Sequence, residues 1–306
     1  MLRRRVPYWW TGLAVALGVV VTALVLLNPL ERFTRAARAE PALSAVVTLG
    51  VFADLARQVG GDRVEVAQLV PDGEDVHGFQ FTPGALAAVQ RAQVFIYNGL
   101  QLEPFVPQVL AAAGHPGLVR VALAEGLPPI VRDGLANPHF WLDPRLAVHY
   151  VERIRDGFAA ADPAGAATYE ANAAQYVATL RALDAELEAQ LSAVPPERRK
   201  LIVTHDAFSY FARRYGFEEI AAVLSTEGQE PGPSEYAALL RQVRQAGVST
   251  LFTEPQLPSR AVQQFAREAG LRLVPLYSDA FPADGSVRSY VEMMRANVRN
   301  IVEGLR

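Results

Sequence analysis

The sequence contains no cysteine and only one lysine, Lys200. Without cysteine the chain lacks disulfides, thiolate metal ligands, a cysteine nucleophile and a lipid-modified cysteine anchor, so we expect no lipoprotein. The 306 residues are 51% hydrophobic and 20% charged, a balance that is typical of a folded globular protein. A chain of this length has room for one large domain or two medium ones.

Charge is distributed unevenly between the first 39 residues and the rest. Residues 1–39 carry a net charge of +5, which leaves −8 for the remainder. A nucleic-acid binder would show the opposite bias, so we expect no nucleic-acid partner. Three arginines at 3–5 precede an uncharged apolar run over 6–30, which predicts either a secretory signal peptide or an uncleaved N-terminal membrane anchor over 1–39. In both cases the body of the protein is predicted to work outside the cytoplasm, for example in the periplasm.

Short apolar segments rich in β-formers alternate with helical patterns in the remainder. The predicted strands of the first half are 45–51, 63–70 and 94–97, and its helices are 52–59 and 83–91. The predicted strands of the second half are 201–204, 219–223, 250–253 and 272–275, and its helices are 207–215, 234–246, 259–269 and 287–305. This alternation predicts an α/β fold with mainly parallel sheets.

A different kind of segment lies between the two halves. Residues 164–193 are rich in Ala, Leu, Glu and Gln and contain no proline. Asp162 and Pro163 offer a cap and a first helical residue, and Pro195 ends the pattern. One long helix is therefore predicted to join two α/β lobes. The predicted bounds are 40–161 for the first lobe, 162–194 for the linker helix and 195–306 for the second lobe.

Three histidines and one aspartate fall where parallel α/β sheets bind ligands, beyond the carboxyl ends of strands. His77 and His205 follow predicted strands, and His139 lies in a loop rich in turn residues. Asp279 comes just after the last predicted strand. Three imidazoles and one carboxylate form a plausible tetrahedral ligand set for Zn²⁺, and a carboxylate binding through both oxygens would also admit Mn²⁺. Such a metal would bridge the cleft between the lobes.

Ordinary structural roles compete with this hypothesis. A single histidine in a loop is more often polar surface, and that is the interpretation for His115 and His149. Asp279 alone is also compatible with a helix cap or a turn. Glu254, which follows the strand 250–253, is a supporting group or spare ligand at the cleft or, more simply, one side of a structural ion pair. The sequence contains no nucleophile elbow, phosphate-binding loop or dinucleotide motif.

Six segments resemble the zinc/manganese-type solute-binding proteins of bacterial ABC transporters, and they occur in the family's order. The segments are DVHGFQFTP (75–83), NPHFWLDP (137–144), THDAFSYF (204–211), STEGQEP (225–231), FTEPQ (252–256) and PLYSD (275–279). The resemblance implies two lobes joined by a long helix. It also implies a metal held by His77, His139, His205 and Asp279. The implied function is that of a receptor, not an enzyme, which captures Zn²⁺ and delivers it to a membrane permease, and we expect a monomer.

The third ligand favours zinc, because manganese members typically have glutamate where this chain has His205. Other departures are Val76 in place of proline and Asn137 in place of aspartate, and neither removes a donor. The long loop rich in His and Asp that many zinc importers carry is absent before His139, which weakens the case for zinc import and leaves room for broader metal scavenging. Two alternatives remain. One is a zinc-dependent hydrolase with Glu254 as the base, and the other is a binding module for a chelated or organic solute. Four protein ligands leave no position for an activated water, so the receptor is preferred.

Overall fold

The structure, a computed structural model, describes residues 42–113, 115–132, 134–224 and 229–306. The predicted signal peptide or anchor over 1–39 lies outside these ranges, and so does part of the segment 225–231. Across the ranges that are described, no helix combines the length and the apolar character needed to cross a membrane.

A four-stranded parallel sheet organises the first half of the chain. Its strands are β1 (Leu43–Val47), β2 (Val64–Gln68), β3 (Val94–Tyr97) and β4 (Val119–Ala122), in the order β2-β1-β3-β4. Its helices are α1 (Gly50–Gly60), α2 (Pro83–Arg91), α3 (Val106–Ala113) and α4 (Pro144–Ala161), and a short antiparallel hairpin joins β5 (Val131–Arg132) to β6 (Leu135–Ala136). The predicted strand 45–51 is too long, because Gly50 already begins α1. An apolar run alone cannot distinguish the end of a strand from the start of a buried helix.

A second parallel sheet organises the other half. Its strands are β7 (Lys200–His205), β8 (Glu218–Leu224), β9 (Thr250–Thr253) and β10 (Arg272–Pro275), in the order β10-β9-β7-β8. Its helices are α6 (Ser209–Tyr215), α7 (Pro233–Ala246), α8 (Arg260–Ala269) and α9 (Tyr290–Gly304). The two sheets confirm the α/β class with parallel strands. The strand order of this sheet reverses between β7 and β9, which is where such folds bind ligands.

Helix α5 (Ala166–Leu191) connects the two sheets in the chain and contains 26 residues. At about 1.5 Å per residue it is roughly 39 Å long. Its start differs from the prediction, since a 3₁₀ turn at Pro163–Gly165 precedes the helix and Asp162 makes no side-chain cap. Asp162 instead accepts hydrogen bonds from Arg63 Nη2 at 2.7 Å and Tyr169 Oη at 2.8 Å. The lobe boundaries at 161/162 and 194/195 stay a prediction.

The main apolar core contains buried residues of both halves of the chain, and a second cluster lies within the second half alone. Buried polar contacts also join the two halves. Trp141 Nε1 donates to the carbonyl of Ser278 at 3.0 Å, and Tyr290 Oη donates to the carbonyl of Trp141 at 2.7 Å. The carboxylate of Asp54 accepts from the backbone N–H of Tyr290 at 2.8 Å. These contacts join α1 and the turn after His139 to the segment that carries Asp279. They fix the relative position of the two sheets at the ligand site.

Candidate metal centre

The structure brings together all four residues that the sequence singles out. His205 is the last residue of β7, and Asp279 lies four residues beyond β10. His77 lies in the loop between β2 and α2, and His139 immediately precedes a 3₁₀ turn at Phe140–Leu142. Each offers one donor atom, and the four atoms all lie within 4.8 Å of one another.

Four contacts between donor atoms are close to the separations in a tetrahedral metal shell, and the whole set lies within 4.8 Å. His139 Nε2 lies 3.3 Å from His205 Nε2 and 3.4 Å from Asp279 Oδ1. Asp279 Oδ2 lies 3.5 Å from His205 Nε2 and 3.7 Å from His77 Nε2. Zinc bonds of about 2.0–2.1 Å in a regular tetrahedron would place donor atoms about 3.3–3.4 Å apart. The donors are therefore grouped closely enough to surround an ion of that size.

Several of these donors are buried without a partner. In the part of the chain that the structure describes, His77 Nε2 and both oxygens of Asp279 have no hydrogen-bond partner. The carboxylate of Asp279 is 1% exposed, and His139 and His205 are fully buried. Buried polar atoms in folded proteins are nearly always satisfied, and a buried carboxylate needs compensation. A cation at the point where these atoms converge would supply it.

Two of the four ligands are already in the protonation state that binds a cation. Burial lowers the pKa of the His139 imidazole to about 3, so this ring is neutral at pH 7. Burial opposes the charge on Asp279, but the surrounding imidazoles, His139 first, outweigh it and hold the pKa of that carboxyl below its usual value. A neutral imidazole and an ionised carboxylate are the forms that coordinate metals.

The pKa of His205 shifts in the opposite direction because the carboxylate of Glu254 contacts its other ring nitrogen. Burial alone would lower its pKa, but the charge of Glu254 and a hydrogen bond to that residue outweigh burial and raise the pKa of His205 to about 9. Glu254 Oε1 lies 2.7 Å from His205 Nδ1, the ring nitrogen that faces away from the other ligands. Metal binding at Nε2 must therefore displace a proton at pH 7.

Glu254 supports a ligand and does not face the centre as a base would. Its second oxygen accepts from Gln256 Nε2 at 3.2 Å and from the hydroxyl of Ser278. Glu254 follows β9, next to β7 in the sheet, so the predicted strand-end position is confirmed. Of the three roles expected for it, the supporting group and the ion pair both fit, because Glu254 pairs with His205 at 2.7 Å. The base that the hydrolase alternative assigned to Glu254 does not, since both oxygens are engaged behind His205.

Two further supporting residues escaped the sequence analysis. Asn137 Oδ1 lies 3.0 Å from His139 Nδ1, while its amide group donates to the backbone carbonyl of Asp206 at 2.8 Å. Asn297 exchanges two hydrogen bonds with the backbone of Tyr277, at 2.8 and 2.7 Å, and so fixes the chain two residues before Asp279. An asparagine on the apolar face of a helix was the available signal for Asn297. Asn137 had been noted only as a departure from a family pattern.

The two remaining histidines take ordinary structural roles, as predicted. A ring nitrogen of His115 lies 3.1 Å from the carbonyl of Ala92, and one of His149 lies 2.9 Å from the carbonyl of Glu125. Neither belongs to the cluster of donor atoms.

Comparison with known proteins identifies the family. The family model described as "Zinc-uptake complex component A periplasmic" matches residues 45–304. The chain is 29% identical over 290 residues to the manganese-binding lipoprotein MntA of Halalkalibacterium halodurans, covering 94% of this chain and 96% of that one. It is 30% identical over 268 residues to the iron-binding protein YfeA of Yersinia pestis, covering 85% of each.

A solved structure agrees with this result. The periplasmic zinc-binding protein TroA from Treponema pallidum superposes with a TM-score of 0.80 at 27% identity, covering 86% of this chain and 99% of that one. The family match spans both sheets and all four donor residues. This chain therefore belongs to the family of metal-binding solute-binding proteins of ABC transporters.

Proposed function

We propose that this protein captures Zn²⁺ outside the cytoplasm through His77, His139, His205 and Asp279 and delivers it to an ABC-type permease. The observation that carries the proposal is the convergence of four donor atoms that all lie within 4.8 Å of one another, buried and partly without partners among the described residues. Four protein donors close the shell and leave no position for a reactive water, which suits a site that holds its ion. All four donors come from one chain, so a monomer is sufficient.

The choice of zinc rests on the donor set. Three imidazole nitrogens suit Zn²⁺, whereas manganese prefers a larger share of oxygen ligands. Both oxygens of Asp279 face imidazole donors, so a five-donor shell for Mn²⁺ is the competing arrangement. The relatives named above are described as binding manganese, iron or zinc, and similarity alone therefore does not select the ion.

The proposed location rests on the N-terminal charge pattern and on the relatives. The run over 6–30 after three arginines supports export, and MntA is described as a lipoprotein. The same pattern is the basis for proposing a signal peptide or an N-terminal helix over 1–39. The charge of −8 after residue 39 would raise the local concentration of cations.

A metal competition tests the proposal. Demetallated protein is supplied with Zn²⁺ and Mn²⁺ together, and the bound metal is counted by elemental analysis. We expect one equivalent of zinc and little manganese, with zinc lost in His205→Glu and retained in the matched control His149→Ala. Preferential binding of manganese would refute the choice of zinc but not the receptor function. The absence of any bound metal would refute the metal site.

A further inference from the structure

The three imidazole ligands differ in how firmly the protein holds them. The rings of His139 and His205 are fully buried, and each has its second nitrogen bonded, to Asn137 at 3.0 Å and to Glu254 at 2.7 Å. The ring of His77 has no hydrogen bond to another side chain or to backbone within the described residues, and its side chain remains 8% exposed. Partners on the second ring nitrogen fix the orientation of a metal-bound imidazole. His77 is therefore the least constrained of the three.

The backbone around His77 is also less regular than that of the other imidazole ligands. His77 lies in the loop between β2 and α2, where its N–H donates to Asp75 Oδ1 at 3.0 Å. His205 ends a strand in the middle of a sheet, and His139 leads directly into a turn within the core. A loop held by local turn contacts costs less to displace than a strand.

A cavity of about 630 Å³ adjoins His77. It is lined by His77 and by none of the other three ligands, together with Tyr97, the segment 99–107 and Gln229. Leu100 and Gln101 are exposed at its rim, so it communicates with solvent. This volume is far larger than a hydrated metal ion needs.

Part of the cavity wall has an unusual backbone conformation. Gly99, Leu100 and Gln101 have positive φ angles of 86°, 52° and 64°. The buried carboxylate of Glu103 holds the start of this segment, since it accepts from the N–H groups of Asn98 at 2.8 Å and Gly99 at 3.2 Å. Positive φ at two non-glycine residues costs free energy and persists only where the surroundings enforce it, often at functional sites. The cavity is thus lined by the constrained segment 99–101 and by His77, which is the least constrained ligand.

We propose that the metal reaches and leaves the centre through this cavity, and that His77 is the ligand that binds last and dissociates first. This inference rests on the proposed function and adds to it the route of exchange and the order of the ligands. Three buried donors are then in place before the metal binds, those of His139, His205 and Asp279. The fourth bond opens and closes towards solvent at His77.

Chemical rescue by imidazole tests the order of the ligands. In His77→Ala the vacated position adjoins the cavity, so imidazole at about 10 mM can enter and complete the shell, whereas the space left in His139→Ala is enclosed. Zinc release is followed with a chromogenic chelator. We expect release from His77→Ala to be at least about tenfold faster than from the wild type, since ligand loss acts mainly on dissociation, and to be slowed again by imidazole. Equal rescue of His139→Ala, or no rescue of His77→Ala, would overturn the proposal.

A second variant tests the route without touching a ligand. Gln101→Trp places a large ring at the rim of the cavity, and Leu273→Trp places the same ring at an exposed position on β10 as the control. We expect Gln101→Trp to slow zinc association and dissociation by the same factor, about tenfold, with the Kd unchanged, because obstruction of a path acts on both directions equally. Unchanged rates in Gln101→Trp would refute the route. Wild-type protein that retains no zinc would instead refute the proposed function itself.

Discussion

Replacement of Glu254 by glutamine should change the pH dependence of zinc affinity more than the affinity at neutral pH. In the wild type the pKa of His205 is about 9, chiefly because the carboxylate of Glu254 outweighs burial. About 1% of His205 is then neutral at pH 7, and proton competition weakens the apparent zinc affinity about 100-fold. Zinc affinity should therefore rise about tenfold per pH unit between pH 7 and pH 9 from this residue alone.

Glu254→Gln removes the negative charge that holds the proton on His205. The pKa of His205 falls, and the steep rise in affinity between pH 7 and pH 9 disappears. The variant also loses a charged partner that orients the ring, and such losses typically weaken metal binding by about 10–100-fold, or about 1.4–2.7 kcal/mol. The two effects oppose each other at pH 7. We expect nearly equal affinities there and a variant that binds about 10–100-fold more weakly at pH 9.

The assay is competition with a chelator whose own zinc affinity is known at each pH, from pH 6.5 to 9.5. Calorimetry in two buffers of different ionisation heat counts the protons that are released, and the wild type should release about one more than the variant at pH 7. Glu219→Gln is the matched control, because it removes another buried carboxylate of the second sheet that contacts none of the four ligands. Parallel pH profiles for the wild type and Glu254→Gln would refute the reasoning.

Three further changes have outcomes that the contacts determine. Asp279→Asn removes the only charged ligand and should weaken zinc binding by about 3 kcal/mol, on the order of 100-fold, in a chelator competition, and wild-type affinity would contradict its role. Asn297→Ala removes two hydrogen bonds of a buried side chain and should lower the free energy of unfolding in urea by about 2–4 kcal/mol while also weakening zinc binding, and loss of stability alone would separate the residue from the site. Burial raises the pKa of Glu103 from 4.5 to about 7, so its protonated form favours the folded state. That stabilisation is complete below pH 4.5 and is lost as pH rises through 7, and Glu103→Gln should remove about 2.5 kcal/mol of this pH dependence in urea titrations at pH 5 and pH 8.

Much of the fold followed from local patterns. The strands at 94–97, 250–253 and 272–275 have the predicted bounds. The first two are short runs rich in β-formers that polar residues close on both sides. Asp143 and Pro144 begin α4 as a cap and a first helical residue, and Asp143 Oδ1 accepts from the N–H of Arg145 at 2.9 Å. The same type of signal at Asp162 was wrong, because a distant arginine binds that carboxylate instead. Caps can be predicted only where no tertiary partner competes for the side chain.

The sequence by itself determined which residues form the candidate centre. His77, His205 and Asp279 follow strands of parallel sheets, and that topology alone places the residues beyond strand ends along the cleft edge. His139 was found from its turn-rich surroundings and from the resemblance to a family. Whether a side chain can donate to a metal depends on its residue type, and the sequence shows the residue type directly.

Only the tertiary structure decided the distances between these donors and the protonation of His139 and His205. Both depend on contacts between residues far apart in the sequence, such as Trp141 with Ser278 and Asp54 with Tyr290. The pKa of His205 depends on Glu254, which is 49 residues away in the chain and lies on a neighbouring strand end. Burial and Coulomb interactions are set by the packing of the whole chain, so a local pattern in the sequence cannot determine them.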